Sequence, residues 1–227
     1  MIKFYYHPSP NPAKVALLLE ETGLPYEVVP VDTRKGEQFA PAFLQINPNA
    51  KTPALLDGEV RLFDSNAILL YLAEKTGRFL PENTPTARGS LLSWLMFVAS
   101  GVGPYSGQAV HFSHFAPKGL DYAVERYRYE ANRHYGILDA QLAKHPYLLG
   151  DTYTIADMAV WGWARVIPFV LGDEAWNRLP NLKRLVDLVS ERPAAVRAAA
   201  LKDKFNFKAE LDAEARRHLF RHITAAA

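Results

Sequence analysis

Two short polar motifs, at residues 52–53 and 64–65, have the residue types and the order of a binding site for a small peptide-like molecule. Thr52 precedes Pro53 beside an apolar run. A cis peptide bond is tolerated there and would turn the Thr52 backbone N–H and C=O outward to pair with an extended peptide. Ser65 precedes a helical stripe that contains Ile68, so it is expected to cap that helix while the free N–H groups bind a carboxylate. Asp64 beside it could bind an ammonium group. Each motif alone is typical of an ordinary strand or a capped helix, and it is their order and spacing that favour a ligand site.

A third polar segment, residues 7–14, carries groups that could stabilise a sulfur anion. Pro12 suits the first position of a helix, which would place Asn11 at the helix cap and Ser9 two residues earlier. The Asn11 amide and the Ser9 hydroxyl can donate hydrogen bonds to a thiolate, and unpaired N–H groups and the helix dipole favour an anion there. Lowering a thiol pKa by about two units from about 8.5 needs roughly 2.7 kcal/mol, which two or three such donors could supply. The alternative is that Asn11 only caps the helix and Ser9 only fills the loop.

The composition limits what such a site could bind. The 227 residues include 26 basic and 24 acidic side chains, a formal net charge of +2, which is too balanced for a protein dedicated to nucleic acid or to a membrane surface. Cysteine is absent, so the protein cannot supply disulfides, thiolate metal ligands or a nucleophilic sulfur. Any reactive sulfur therefore belongs to a ligand. Because neither a signal peptide nor a run of roughly 18 apolar residues is found, a cytoplasmic protein is expected.

The sequence divides into two parts with different periodicity. Residues 1–81 alternate short apolar runs with helical patterns in the order β-α-β-α-β-β-α, which predicts a thioredoxin-like α/β domain. Segment 82–86 is polar and contains proline, which indicates a linker, and residues 87–227 predict an all-α helical domain. The spacing predicts a short helix over 39–45 in the first part and helices over 87–99, 120–142, 154–170, 182–190 and 194–201 in the second. Thr154 and Asp157 predict a capping box that stabilises the fold.

Several motifs, in this order, resemble the cytosolic glutathione S-transferases, and specifically the bacterial nu-class disulfide-bond oxidoreductases that use glutathione. The motifs are Pro8-Ser9-Pro10-Asn11, Lys35-Gly36-Glu37-Gln38-Phe39, Asn47-Pro48-Asn49-Ala50-Lys51, residues 67–77, Gly107-Gln108 with His111-Phe112, and Glu125-Arg126-Tyr127. The resemblance implies a homodimer that activates the thiolate of reduced glutathione for attack on a disulfide, a peroxide or an electrophilic carbon. It also implies that two glutathiones or one oxidised glutathione occupy the cleft. The alternative is a binding or assembly module of the same fold without catalysis.

The same resemblance implies roles for individual residues. Asn11 and Ser9 match the positions beside the glutathione sulfur. The remaining contacts to glutathione that it implies are Gln38, Lys51, Thr52, Pro53, Asp64, Ser65 and Arg126. Asp64 departs from the usual glutamate, and its shorter side chain could reposition the contact to the γ-glutamyl amine. Arg126 has an alternative role as the ion-pair partner of Glu130, four residues later.

Other polar residues are secondary candidates. Tyr6 is a lesser candidate for the sulfur contact. His111 and His114 have metal-like spacing, but no carboxylate or thiolate lies near them in the sequence, so no metal is expected. Four residues are expected either to line the pocket of the second substrate or to pack elsewhere: His111, His114, Tyr105 and Phe112. The basic tail 213–222 is expected to be a solvated terminal helix, with folding over the site as the alternative.

Overall fold

The computed structural model describes residues 1–224 of the chain, and within them four strands form one mixed sheet. The strands are β1 (Ile2–Tyr6), β2 (Tyr26–Pro30), β3 (Ala54–Asp57) and β4 (Val60–Phe63). Their order in the sheet is β2-β1-β3-β4, with β1 parallel to β2, and the β1–β3 and β3–β4 pairs antiparallel. Parallel strands need a crossover, which α1 (Pro10–Thr22) supplies, whereas a tight turn joins β3 to β4. This is the predicted thioredoxin-like arrangement, which is confirmed.

Two further helical segments complete this α/β part. The predicted helix over 39–45 is instead a 3₁₀ turn (Glu37–Phe39) followed by α2 (Pro41–Leu44). The break falls before Pro41, because a residue that precedes proline avoids the helical region and Ala40 has ψ 135°. Helix α3 (Ser65–Thr76) follows β4 and ends at Gly77, whose φ of 65° is the left-handed conformation that glycine adopts readily.

The remainder of the described chain, up to residue 224, is mostly helical, as predicted. Up to residue 200 its α-helices are α4 (Pro85–Phe97), α5 (Gly103–Val110), α6 (Asp121–Leu142), α7 (Ile155–Ala164), α8 (Ile167–Leu171), α9 (Pro180–Ser190) and α10 (Pro193–Ala200). Helix α5 was not predicted, because its sequence contains two glycines and a proline, which are typical of a loop. The single helix predicted over 154–170 is two helices, since the chain turns at Arg165 and Val166 before Pro168. Among residues 1–224, no helix has the length and apolarity needed to cross a membrane.

One hydrophobic core joins the sheet to the helical part. Helix α1 lies between them: Val15 and Leu17 to Leu19 are fully buried, and α1 contacts both α3 and α7. Helix α7 is buried almost throughout, and its predicted capping box is confirmed. The Asp157 carboxylate accepts hydrogen bonds from the backbone N–H groups of Thr154 at 2.9 Å and Leu148 at 2.7 Å. The N-terminus of α1 is therefore held at the junction of the α/β and helical parts.

The C-terminal segment folds back over the α/β part, so the expectation of a solvated terminal helix is wrong. The Lys208 N–H donates to the Asp32 carboxylate at 2.7 Å, and helices α11 (Ala213–Leu219) and α12 (Arg221–Thr224) follow. His218 packs against Gly36, where a Cβ atom would lie 2.5 Å from its Nδ1 atom. Gly36 also has φ 81°, a backbone conformation that favours glycine. Both this conformation and the close approach of His218 therefore require glycine at position 36.

Candidate functional site

The first turn of α1 begins two residues earlier than the sequence indicated. Ser9 is the N-cap residue and Pro10 is the first helical residue, so the expectation that Asn11 caps the helix is wrong. A proline suits the first helical position because it needs no N–H partner, and Pro10 occupies that position before Pro12 can. Since Pro10 and Pro12 both lack an N–H, only Asn11 among the first three helical residues has a backbone donor. Side chains must therefore supply most of the hydrogen bonds to an anion here.

The Asn11 side chain is oriented by a residue of the helical part. The Trp163 indole Nε1–H donates to Asn11 Oδ1 at 3.0 Å, and the Ser65 hydroxyl donates to the same oxygen at 3.5 Å. An indole N–H can only donate, so it identifies the amide oxygen and leaves the Asn11 NH₂ group for another acceptor. The Ser9 hydroxyl lies in the preceding loop and donates to the His7 carbonyl oxygen at 3.4 Å. The sequence indicated Asn11 and Ser9 but not Trp163, which lies within the helix predicted over 154–170.

The Thr52–Pro53 peptide bond is cis, the isomer that the sequence was expected to tolerate there. The loop before it is shaped by the buried Asn47, whose amide donates to the Lys51 carbonyl oxygen at 2.6 Å and whose side-chain oxygen accepts from the Asn49 N–H at 2.9 Å. This arrangement places the Thr52 backbone and the exposed Lys51 side chain at the edge of the cleft beside α1.

Asp64, and not Ser65, is the N-cap of α3. Its side chain accepts hydrogen bonds from the N–H groups of Asn66 at 2.8 Å and Ala67 at 3.2 Å, while Ser65 is the first helical residue. Aspartate caps as well as serine does, and Asp64 has φ 70°, which aspartate tolerates better than most residues. The buried Ser65 hydroxyl is therefore released from capping and points toward Asn11.

Two adjoining cavities bring most of the predicted residues together. The first cavity, of about 380 Å³, is lined by Asn11, Lys14, Asn47, Asn49, Lys51, Thr52, Pro53, Phe63, Asp64, Ser65, Asn66, Val98, Ala99, Gly103, Pro104 and Trp163. The second cavity, of about 440 Å³, is lined by His7, Ser9, Pro10, Asn11, Thr33, Gln38, Phe39, Asn49, Ala50, Lys51, Thr52, Trp163, His218, Leu219, Arg221 and His222. Five residues belong to both linings and mark the boundary between the two cavities: Asn11, Asn49, Lys51, Thr52 and Trp163.

Gln38 lies in the second cavity, whereas Arg126 does not line either one. The Gln38 amide is buried and donates to the Thr33 carbonyl oxygen at 3.1 Å, while its Oε1 atom has no protein partner among the described residues. Arg126 donates to the Glu130 carboxylate at 2.6 Å, the ion pair named as its alternative role. Its contact to a ligand stays a prediction.

Lys14 is a site residue that the sequence did not indicate. It is 1% exposed, lines the first cavity, and its Nζ donates to the Ser65 Oγ atom at 3.3 Å. Burial lowers the pKa of Lys14 to about 7, although the Asp64 carboxylate acts in the opposite direction. The one available signal was a lysine within an otherwise apolar helical stripe, which is a rare position for an unpaired charge.

The secondary candidates lie outside both cavities or pack among aromatic residues. Tyr6 is buried and lines neither cavity, and burial raises its pKa. His114 stacks on Phe169, and His111 contacts Phe220 of the tail. Tyr105 and Phe112 both pack against Tyr127. Within the part of the chain that the structure describes, no group of three or more His, Cys, Asp or Glu residues is placed to hold a metal ion.

The fold and the site together define a class of protein. A thioredoxin-like domain with a cis-proline loop shares its cleft with an all-α domain, and the polar groups of α1 and α3 face that cleft. The family model for the glutathione S-transferase N-terminal domain matches residues 1–74, and the model for the C-terminal domain matches residues 121–188. The chain belongs to the glutathione S-transferase family, as the sequence motifs predicted.

Individual relatives support the assignment of the chain to this family. Disulfide-bond oxidoreductase YfcG of Escherichia coli (strain K12) is 43% identical over 212 residues, which cover 87% of this chain and 94% of that protein. Disulfide-bond oxidoreductase YghU of the same organism is 39% identical, covering 86% and 73% respectively.

Solved structures of the family are also similar. A glutathione transferase family member from Pseudomonas fluorescens pf-5, with two glutathione bound, has a TM-score of 0.83 and 38% identity over 87% of this chain and 92% of that one. A glutathione transferase from Pseudomonas putida, with one glutathione disulfide bound per subunit, has a TM-score of 0.83 and 34% identity, covering 88% and 91%.

Proposed function

We propose that the chain stabilises the thiolate of glutathione beside Asn11 and Ser9 and directs it at a disulfide acceptor. The prediction of a glutathione-dependent enzyme is confirmed by relatives that are disulfide-bond oxidoreductases and by similar structures that hold glutathione or its disulfide. Transfer of glutathione to electrophilic carbon and reduction of peroxides use the same activated sulfur, and they are further activities of this proposal.

The orientation of the Asn11 amide is the observation that supports the proposal most strongly. Its oxygen accepts from Trp163 and Ser65, so its NH₂ group is the part left to bind an acceptor at the boundary of the two cavities. A hydrogen bond to a charged group contributes about 1.5 to 3 kcal/mol. This corresponds to a thiol pKa lowered by about one to two units.

We assign the remaining groups by the chemistry of glutathione. The Thr52 backbone beside Pro53 pairs with the cysteinyl backbone, and Ser65 and Asp64 bind the γ-glutamyl carboxylate and amine. Gln38 and Lys51 lie at the second cavity and contact the glycyl end. Each assignment places a group of the opposite charge or the complementary hydrogen-bonding type against the peptide.

The proposed reaction needs no residue of the protein to become covalently modified, since the chain has no cysteine. The glutathione thiolate attacks one sulfur of the acceptor disulfide, forming a mixed disulfide and releasing the other sulfur as a thiolate that takes a proton from water. A second glutathione thiolate then attacks the glutathione sulfur of the mixed disulfide, which gives glutathione disulfide and a second acceptor thiol. Two adjoining cavities, with Asn11 at their boundary, suit two glutathiones that react with each other's sulfur.

The test is a titration of the bound thiol followed by the ultraviolet absorbance of the thiolate. In the wild type the pKa of bound glutathione is expected well below its usual range, and in Asn11→Ala about one to two units higher. Asn132→Ala is the matched control, because Asn132 is a remote amide that accepts from Arg178. A thiol that titrates in the wild-type complex as it does in water refutes the proposal and favours the binding or assembly module.

We also propose that the chain consists of an α/β unit (residues 1–81), a linker (82–86) and a helical unit (87–227). We further propose that it forms a homodimer and that it acts in the cytoplasm. The support for the dimer is apolar exposure: Phe63 is 44% exposed and Met96 is 52% exposed. Light scattering is expected to give a dimer that Met96→Glu dissociates and that Val196→Glu, at an equally exposed apolar position on α10, leaves intact. A monomeric wild type refutes the dimer, and recovery of the tagged chain in the membrane fraction of cells refutes the location.

A further inference from the structure

Lys14 is a buried lysine, and the absence of a side chain at Gly162 leaves room for it. The side chain starts on α1, one turn after Asn11, and passes along Gly162 of α7. A Cβ atom on Gly162 would overlap the Lys14 Cγ atom and would lie 2.7 Å from the Pro10 carbonyl oxygen and 3.0 Å from Lys14 Cε. The lysine stem therefore fills the space that a side chain at position 162 would occupy.

The amine of Lys14 makes few hydrogen bonds to the described part of the protein. Its Nζ donates to Ser65 Oγ at 3.3 Å, and no carboxylate of the described residues forms an ion pair with it. An ammonium group has three donors and a buried one is normally paired. The charged group that acts on Lys14 is Asp64, whose carboxylate is already the cap of α3. The side chains of α1, α3 and α7 that line the first cavity with Lys14 are Asn11, Ser65, Asn66 and Trp163, and all of them are neutral.

Lys14, Asp64 and Ser65 all line the first cavity, so an anion there would provide the partner that the lysine lacks. We propose that Lys14 binds the γ-glutamyl carboxylate of glutathione together with Ser65, and that ligand binding takes up a proton at this lysine. This inference rests on the proposed glutathione site. The proton comes from solvent and converts the neutral amine to the ammonium group, because a bound carboxylate favours the charged form. In the protein without ligand the pKa of Lys14 is lowered to about 7, so this proton uptake is measurable slightly above neutral pH.

The test is isothermal titration calorimetry of S-methylglutathione into the full chain. This ligand keeps the γ-glutamyl carboxylate and has no thiol proton that could obscure the result. Measuring at pH 7.5 in two buffers with different ionisation enthalpies gives the number of protons taken up. Roughly half to three quarters of a proton is expected for the wild type, because about a quarter of the Lys14 amines are already protonated at this pH. In Lys14→Met, which keeps the length of the stem, proton uptake is expected to vanish and affinity to fall about 10- to 100-fold.

The outcomes separate this inference from the function on which it rests. A wild type that binds S-methylglutathione without proton uptake refutes the role of Lys14 alone, and so does a Lys14→Met protein with unchanged affinity. Failure of the wild type to bind the ligand refutes the glutathione site and this inference with it. The wild-type proton count needs no substitution, so the inference is tested even if Lys14→Met does not fold.

Discussion

Trp163→Phe is expected to weaken thiolate stabilisation without touching a group that contacts the sulfur. The substitution keeps an aromatic ring at the boundary of the two cavities and removes the indole N–H that donates to Asn11 Oδ1 at 3.0 Å. Without that donor the Asn11 amide can turn its oxygen, instead of its NH₂ group, toward the sulfur. The bound thiolate then loses a donor for part of the time.

The size of the effect follows from the bond that is lost. A neutral hydrogen bond contributes about 0.5 to 1.5 kcal/mol, which corresponds to a rise of about half to one unit in the thiol pKa. Removing the amide in Asn11→Ala is expected to raise the pKa by about one to two units, because the lost bond is to a charged group. The wild type, Trp163→Phe and Asn11→Ala should therefore show thiol pKa values that increase in this order.

The assay is the same ultraviolet titration of bound glutathione, with one control variant and one double variant. Trp161→Phe also loses an indole hydrogen bond on α7, to Ser190 Oγ at 2.9 Å, but Trp161 lines neither cavity, so the thiol pKa should not move. Because Trp163 acts through Asn11, the double variant with Asn11→Ala should match Asn11→Ala alone. An unchanged pKa in Trp163→Phe, or full additivity in the double variant, would contradict this reasoning.

Three further predictions concern separate parts of the molecule. Asp64→Asn should keep the cap of α3 and the thermal stability but weaken glutathione binding, whereas Asp64→Ala should also lower the unfolding free energy by about 1 kcal/mol in denaturant melts. Burial lowers the pKa of Lys14 in the folded state to about 7, below its value in the unfolded chain. Above that pH the unfolded chain binds more protons than the folded one, so the free energy of unfolding rises with pH. Urea titrations should show the wild type gaining about 2 kcal/mol relative to Lys14→Met between pH 7 and pH 9, and parallel curves would exclude a buried amine that titrates. Phe220→Ala removes the tail's contacts with His111 and Phe115, so limited proteolysis should cleave the tail faster while the rest of the chain stays intact.

The sequence determined the order of the strands in the α/β part and most of the segments that form the site. Apolar periodicity, Thr52-Pro53 and the Thr154–Asp157 capping box act within a few residues, so their outcome was readable without the fold. The exact helix caps could not be read from the sequence, because neighbouring residues compete for one cap position. Pro10 began α1 before Pro12 could, and Asp64 capped α3 in place of Ser65.

The tertiary structure alone decided how the site groups are oriented and charged. Trp163 orients the Asn11 amide although 152 positions separate them in the sequence. The burial of Lys14 depends on the missing side chain of Gly162, and the return of the tail depends on the space above Gly36. These contacts join elements that are distant in the chain, and which atoms meet depends on the packing of the whole core, which no local pattern encodes.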